Sequence, residues 1–239
     1  MTKEKAQEIL QLLKNHYPNA KMILEWENNF ELLVAIILSA QCTDKKVNEV
    51  TAKVFPKYRQ EKREFVSEYR KYTRMLKTKE ELHELVNFAN VPLRELEQDI
   101  KSTGFYHNKA KSVQGAAKTV LEKFQGILPR SIKELITIPG VGRKTANVFL
   151  GNAYEIYEGI AVDTHVTKQS QLLGLTKDLP AGKAGKTPEK IEEDLMQLFP
   201  QKDWFPLTYL LIEQGRNMRK KKSDRKVCGD SKCILCHPE

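Results

Sequence analysis

The chain has 239 residues, 40% hydrophobic and 30% charged, with a formal net charge of +9. That balance excludes a disordered chain and gives length for one large domain or two modest ones. The cationic excess fits a polyanionic partner without requiring one.

The opening stretch "MTKEKAQEILQLLKNHYP" sets Ala6, Ile9, Leu10, Leu12 and Leu13 on one side of a helix over residues 3–15. It has no continuous apolar core, so it is not a signal peptide. "FELLVAIILSA" (30–40) is apolar nearly all round and predicts a buried central helix, far too short to span a bilayer. "KKVNEVTAKVFPKY" and "KAKSVQGAAKTVLEKF" repeat the spacing of amphipathic helices. Between them, about Arg59 to Ile100 is highly charged and is expected to be a solvated surface excursion with no site residues.

"SIKELITI" predicts a short helix over 131–138, capped by Ser131, with Glu134 completing a capping-box pattern. Residues 174–186, rich in Gly, Lys and Pro, predict a loop. "TPEKIEEDLMQLFP" begins with a Thr cap and a first-turn Pro, and "DWFPLTYLLIEQGRNM" supplies a last helix. Nothing alternates with a sustained period of two, so the fold class is all-α. Cys42 stands alone, whereas Cys228, Cys233 and Cys236 are bunched at the end. The expected location is cytoplasmic, where bunched thiols point to a metal rather than to disulfides.

"IPGVGRKTANVFL" (138–150) carries the chemistry. The short helix and a second one over about 143–154 flank Pro139-Gly140-Val141-Gly142. Gly140 and Gly142 allow close backbone approach, and the amides of the next helix start form an anion site suited to a phosphodiester. This is a helix-hairpin-helix pattern, and Arg143 adds a backbone contact. Lys144, at the positive helix end beside Arg143 and partly desolvated, is expected to lose proton affinity and gain nucleophilicity. On the hairpin alone, a second phosphate contact is the favoured role.

Asp163, in "IAVDTH", follows Lys144 by nineteen residues. A helix ending near Tyr154 climbs about 16 Å, and the following nine residues reach up to about 30 Å, so the chain can return the carboxylate to the amine. A carboxylate near a poised amine suits glycosidic bond cleavage, and capping of the next helix is compatible with that role. His165 is assigned no chemistry.

"LSAQCTDKKVN", "GFYHNKAKSV", "IPGVGRKTANVFL" and "AVDTH", in this order, closely resemble the endonuclease III family of helix-hairpin-helix, Gly/Pro…Asp DNA glycosylases, over about residues 5–216. The resemblance implies two helical domains. One is a six-helix barrel over 22–156 with the hairpin at 131–154; the other joins 1–21 to 157–239. It implies that Lys144 is the nucleophile and Asp163 the catalytic carboxylate, acting on an oxidised pyrimidine flipped from duplex DNA, with strand nicking by β-elimination. Gln41 matches the residue that fills the gap left by the flipped base. Phe105 stands at a wedge position and is a candidate either for that role or for the core. The partner implied is double-stranded DNA with a damaged base or abasic site, which places the protein at the nucleoid if the source is bacterial, and a monomer suffices to bind one lesion.

The family commonly ends in four cysteines spaced C-x6-C-x2-C-x5-C around a 4Fe–4S cluster. Here Cys228, Cys233 and Cys236 give only C-x4-C-x2-C, and Arg219 stands where the first thiol is expected. Three thiolates suit an incomplete cluster, or zinc with help from His237; free thiols are the alternative. The cations Arg216, Arg219, Lys220, Lys221, Lys222, Arg225 and Lys226 form either a solvated tail or a phosphate grip. After "VDTH", Lys168 and Leu172 replace two arginines common in relatives. The competing functions are a non-catalytic helix-hairpin-helix DNA-binding protein and a glycosylase for another damaged base.

Overall fold

The computed structural model describes residues 1–60, 67, 79–176, 187–220 and 233–235. Among these, the α-helices in chain order are α1 (Lys3–His16), α2 (Asn29–Leu38), α3 (Asp44–Arg59), α4 (Lys79–Asn90), α5 (Leu93–Asp99), α6 (Tyr106–Phe124), α7 (Ile132–Leu135), α8 (Arg143–Tyr154), α9 (Thr164–Leu172), α10 (Pro188–Leu198) and α11 (Gln201–Arg219). A 3₁₀ turn, Lys101–Thr103, precedes α6, and no strand occurs among the described residues. The chain divides into two compact units, Ile23–Ile156 and Met1–Met22 with Tyr157–Glu239.

In the 23–156 unit, α2 is the central element. Every residue from Phe30 to Leu38 is buried, as an all-round apolar helix requires. Asn28 starts it by accepting the Glu31 amide at 3.0 Å. Helices α3, α6 and α8 pack against α2.

The charged stretch 59–100 is not the solvated excursion its composition predicts. Helix α4 packs on α6 and on α3 and buries Leu82, Leu85, Val86, Phe88 and Ala89. The Phe88 ring stacks on Tyr58 at 4.1 Å and meets Phe30 edge-on at 5.7 Å. Helix α5 buries Leu96. The apolar residues of α4 recur at helical spacing, and that spacing, rather than mean charge, decides burial. The rest of this charge-rich stretch, residues 61–66 and 68–78, lies outside the described residues.

A buried polar group ties this region to α2. Glu31 is fully buried and Glu84 is 1% exposed. Arg59 Nε donates to Glu31 Oε1 at 2.6 Å, while Asn28 Nδ2 donates to Glu84 Oε2 at 2.7 Å. One guanidinium cannot neutralise two interior carboxylates while also pairing with Glu27. Burial and the adjacent Glu31 carboxylate push the Glu84 carboxyl up to about 9. The protonated Glu84 then shares its proton with Glu31.

The other unit has its own core. Ile9, Leu10 and Leu13 of α1 pack with Val166, Ile191, Leu195, Leu207 and Leu211. Buried Gln214 of α11 accepts Tyr17 Oη–H at 2.6 Å and donates to the Leu235 carbonyl at 2.7 Å, tying the first helix and the 233–235 segment to one side chain. The loop predicted over 174–186 lies mostly outside the described residues; its first part, through Thr176, is a turn after α9.

The Glu84 proton sets a pH dependence. Its folded pKa lies above the unfolded value of 4.5, so its stabilising contribution is full below pH 4.5 and is lost as pH rises toward 9. Glu84→Gln keeps the neutral form permanently. Urea denaturation should find it more stable than the parent by on the order of 1–3 kcal/mol at pH 8, and nearly equal at pH 4.5.

Candidate functional site

Ser131 Oγ accepts the Glu134 amide at 3.3 Å and donates to the Glu134 carboxylate at 2.7 Å, which starts α7. The helix is shorter than the predicted 131–138, ending at Leu135 with a tight turn through Ile138 before Pro139. Ile138 and Val141 are buried, 2% and 6% exposed, and anchor the turn. Between them Gly140 holds φ +81°, and a Cβ there would lie 2.7 Å from Ser112 Cβ. Pro139 rests on Gly115, whose added Cβ would meet the ring at 3.1 Å. Ser112 and Gly115 lie one turn apart on α6, so a small-residue face of α6 seats the hairpin.

Gly142 caps α8 without a side chain, and nothing lies within 4 Å of where its Cβ would be. A helix start of this kind, with backbone amides and no acid in its first turn, suits an anion. Arg143 and Lys144 stand exposed there. The sequence predicts a partly desolvated Lys144; its exposed side chain corrects that. Asn147 and Val148, on the same face of α8, are buried, so Lys144 is exposed by its place in the first turn, at the end of that face.

Two further turns of this unit carry strained backbone. Gln41, exposed in the turn after α2, has φ +52°. Phe105 has φ +48° and is 64% exposed, which removes it from the core. Gln125 and Glu155 also have positive φ, but as C-caps of α6 and α8, where left-handed backbone is common. Phe105 is instead an N-cap, a position that normally takes extended backbone, and a bulky left-handed residue there is an outlier.

Asp163 lies in the other unit as the N-cap of α9. Its Oδ1 accepts the amides of His165 and Val166, both at 2.8 Å, and its Oδ2 lies 3.7 Å from His165 Nδ1. Burial holds the His165 imidazole below its ordinary pKa, and Arg219 and Arg216 add to the effect against the opposing pull of Asp163. Buried Gly215 makes room for the ring, since a Cβ there would stand 2.8 Å from His165 Cδ2. The sequence signal for the packing of His165 is Gly215, fifty residues away.

Of the bunched cysteines, Cys233 is buried in the core of its unit, and Cys228 and Cys236 lie outside the described residues, as do Lys221, Lys222, Arg225 and Lys226. Arg219 and Lys220 are exposed at the end of α11.

A model of the HhH-GPD superfamily of base excision DNA repair proteins matches residues 34–201. The chain belongs to that superfamily. The matched span includes Gln41, Phe105, Gly140, Gly142, Arg143, Lys144 and Asp163 and ends before the bunched cysteines. Endonuclease III of Synechocystis sp. is 40% identical over 98% of this chain and 91% of its own length. That of Bacillus subtilis is 39% identical, over 87% and 81%. A trapped endonuclease III–DNA covalent intermediate matches with a TM-score of 0.78 at 35% identity, over 100% of this chain and 95% of that one. A thermostable thymine-DNA glycosylase, 16% identical with a TM-score of 0.65, shares the HhH-GPD fold.

The hairpin seat can be tested by a double substitution. Gly140→Ala should cost on the order of 1–3 kcal/mol in urea denaturation and weaken duplex binding. Adding Ser112→Gly removes the clash but not the φ penalty, so recovery should be partial.

Proposed function

We propose that the chain excises oxidised pyrimidines from duplex DNA, with Lys144 as nucleophile and Asp163 as catalytic carboxylate. The broader activity follows from family membership. The chain is a bifunctional DNA glycosylase and AP lyase of base excision repair, and damaged duplex DNA is its partner. One observation supports the assignment to Lys144 above all. It is the lysine in the first turn of α8, a helix start with no side-chain cap and no acid, which suits a phosphodiester.

In this reading Arg143 and the backbone from Gly140 to Gly142 hold a phosphate and present the neighbouring sugar to Lys144. The neutral amine attacks C1′ as the C1′–N bond breaks and the base departs with a proton. Asp163 stabilises the positive charge that develops on the sugar; the two amides on Oδ1 fix the carboxylate's orientation for that task. The ring-opened sugar and lysine form an iminium. Loss of a C2′ proton then expels the 3′ phosphate, and water releases the amine. Gln41 occupies the vacated stack and Phe105 wedges beside it.

The endonuclease III family is associated with a 4Fe–4S cluster, but this chain's donors do not complete a four-thiolate set. The position expected for the first thiol is Arg219, on the last turn of α11. The fourth cysteine, Cys42, belongs to the 23–156 unit. Cys228, Cys233 and Cys236 offer three thiolates, enough for a metal with one other ligand. No step above passes through a metal.

Borohydride trapping on an abasic duplex tests the chemistry. The parent should give a covalent adduct and Lys144→Gln none, while Asp163→Asn should slow excision by roughly 100-fold or more. Tight duplex binding with no adduct from the parent would make it a non-catalytic DNA clamp. Excision of an alkylated purine in preference to thymine glycol would move the lesion class.

A further inference from the structure

Lys109 is a buried lysine that the chemistry above does not use. It is 5% exposed, in the first turn of α6. Removing an ammonium from water is costly, and a lysine kept there needs compensating contacts. Its Nζ donates to the Thr103 carbonyl at 2.7 Å. Its own amide donates to the Phe105 carbonyl at 3.1 Å. One residue thus holds the chain on both sides of Gly104, which has φ +71°. Thr103, itself 2% exposed, is fixed in turn by its hydroxyl donating to the Ile100 carbonyl at 2.8 Å.

Burial lowers the proton affinity of the Lys109 amine, and the Thr103 carbonyl is the acceptor that compensates it.

We infer that Lys109 is a positioning residue, which locks the Gly104–Phe105 turn in the geometry that presents Phe105 for insertion into the duplex. The inference rests on the reading that this turn enters DNA. Without the lock Phe105 could relax from its left-handed backbone, and its side chain would no longer meet the base step. The expected defect is confined to substrates in which a stacked pair must be opened.

The test compares single-turnover excision of thymine glycol paired in a duplex with the same lesion opposite a missing nucleotide. Lys109→Met, which retains the apolar stem, should lose about 10-fold or more on the paired substrate and less than about 2-fold on the gapped one. Gln41→Ala and Phe105→Ala should show the same selectivity. Equal losses on both substrates, or none, for Lys109→Met while those two remain selective would overturn the role of Lys109 alone. Should Gln41→Ala and Phe105→Ala both spare the paired substrate, the reading of the turns falls and takes this inference with it. If Lys109→Met melts below the assay temperature, the same ratio is read at a lower temperature at which that variant stays folded.

Discussion

The site depends on one backbone contact, the left-handed Gly140 pressed against Ser112 of α6. It lets the hairpin turn sit on a helix rather than above it, and Pro139 on Gly115 extends the seat. With Ile138 and Val141 buried on either side, the turn has few alternative conformations. The start of α8 is then fixed by its packing, so Arg143 and Lys144 project from a rigid element. Groups held this way need little further ordering when a ligand arrives.

The 23–156 unit concentrates its unfavourable terms in a few places. Left-handed Gln41 and Phe105 each carry backbone strain of about 1–2 kcal/mol, and Lys109 carries a desolvation cost. Strain of this sort persists only where surrounding structure enforces it. Here the apolar helix α2 and the α4–α6 packing supply that enforcement. The Glu31–Glu84 pair is a separate cost, offset by Arg59, Asn28 and a retained proton.

The other unit solves a different problem with Asp163. A carboxylate that caps a helix is already oriented by two amides, so its geometry does not depend on substrate. His165 and Gly215 fill the space behind it. The first and last helices of the chain join this unit through Tyr17, Gln214 and the Leu235 carbonyl.

Local chemistry made much of this legible before any fold was known. The caps at Ser131 and Thr187, the all-round apolar helix α2 and the glycine turn before Arg143 and Lys144 follow from short-range rules that act within a few residues. Tertiary structure decided what depends on distant partners. The burial of α4 required Tyr58 and Phe30, the seat of Gly140 required Ser112, the pocket for His165 required Gly215, and the place of Lys109 required Thr103. A charged stretch or a lysine reads as solvent-facing in sequence because its neutralising and packing groups lie elsewhere in the chain, and only folding brings them within contact distance.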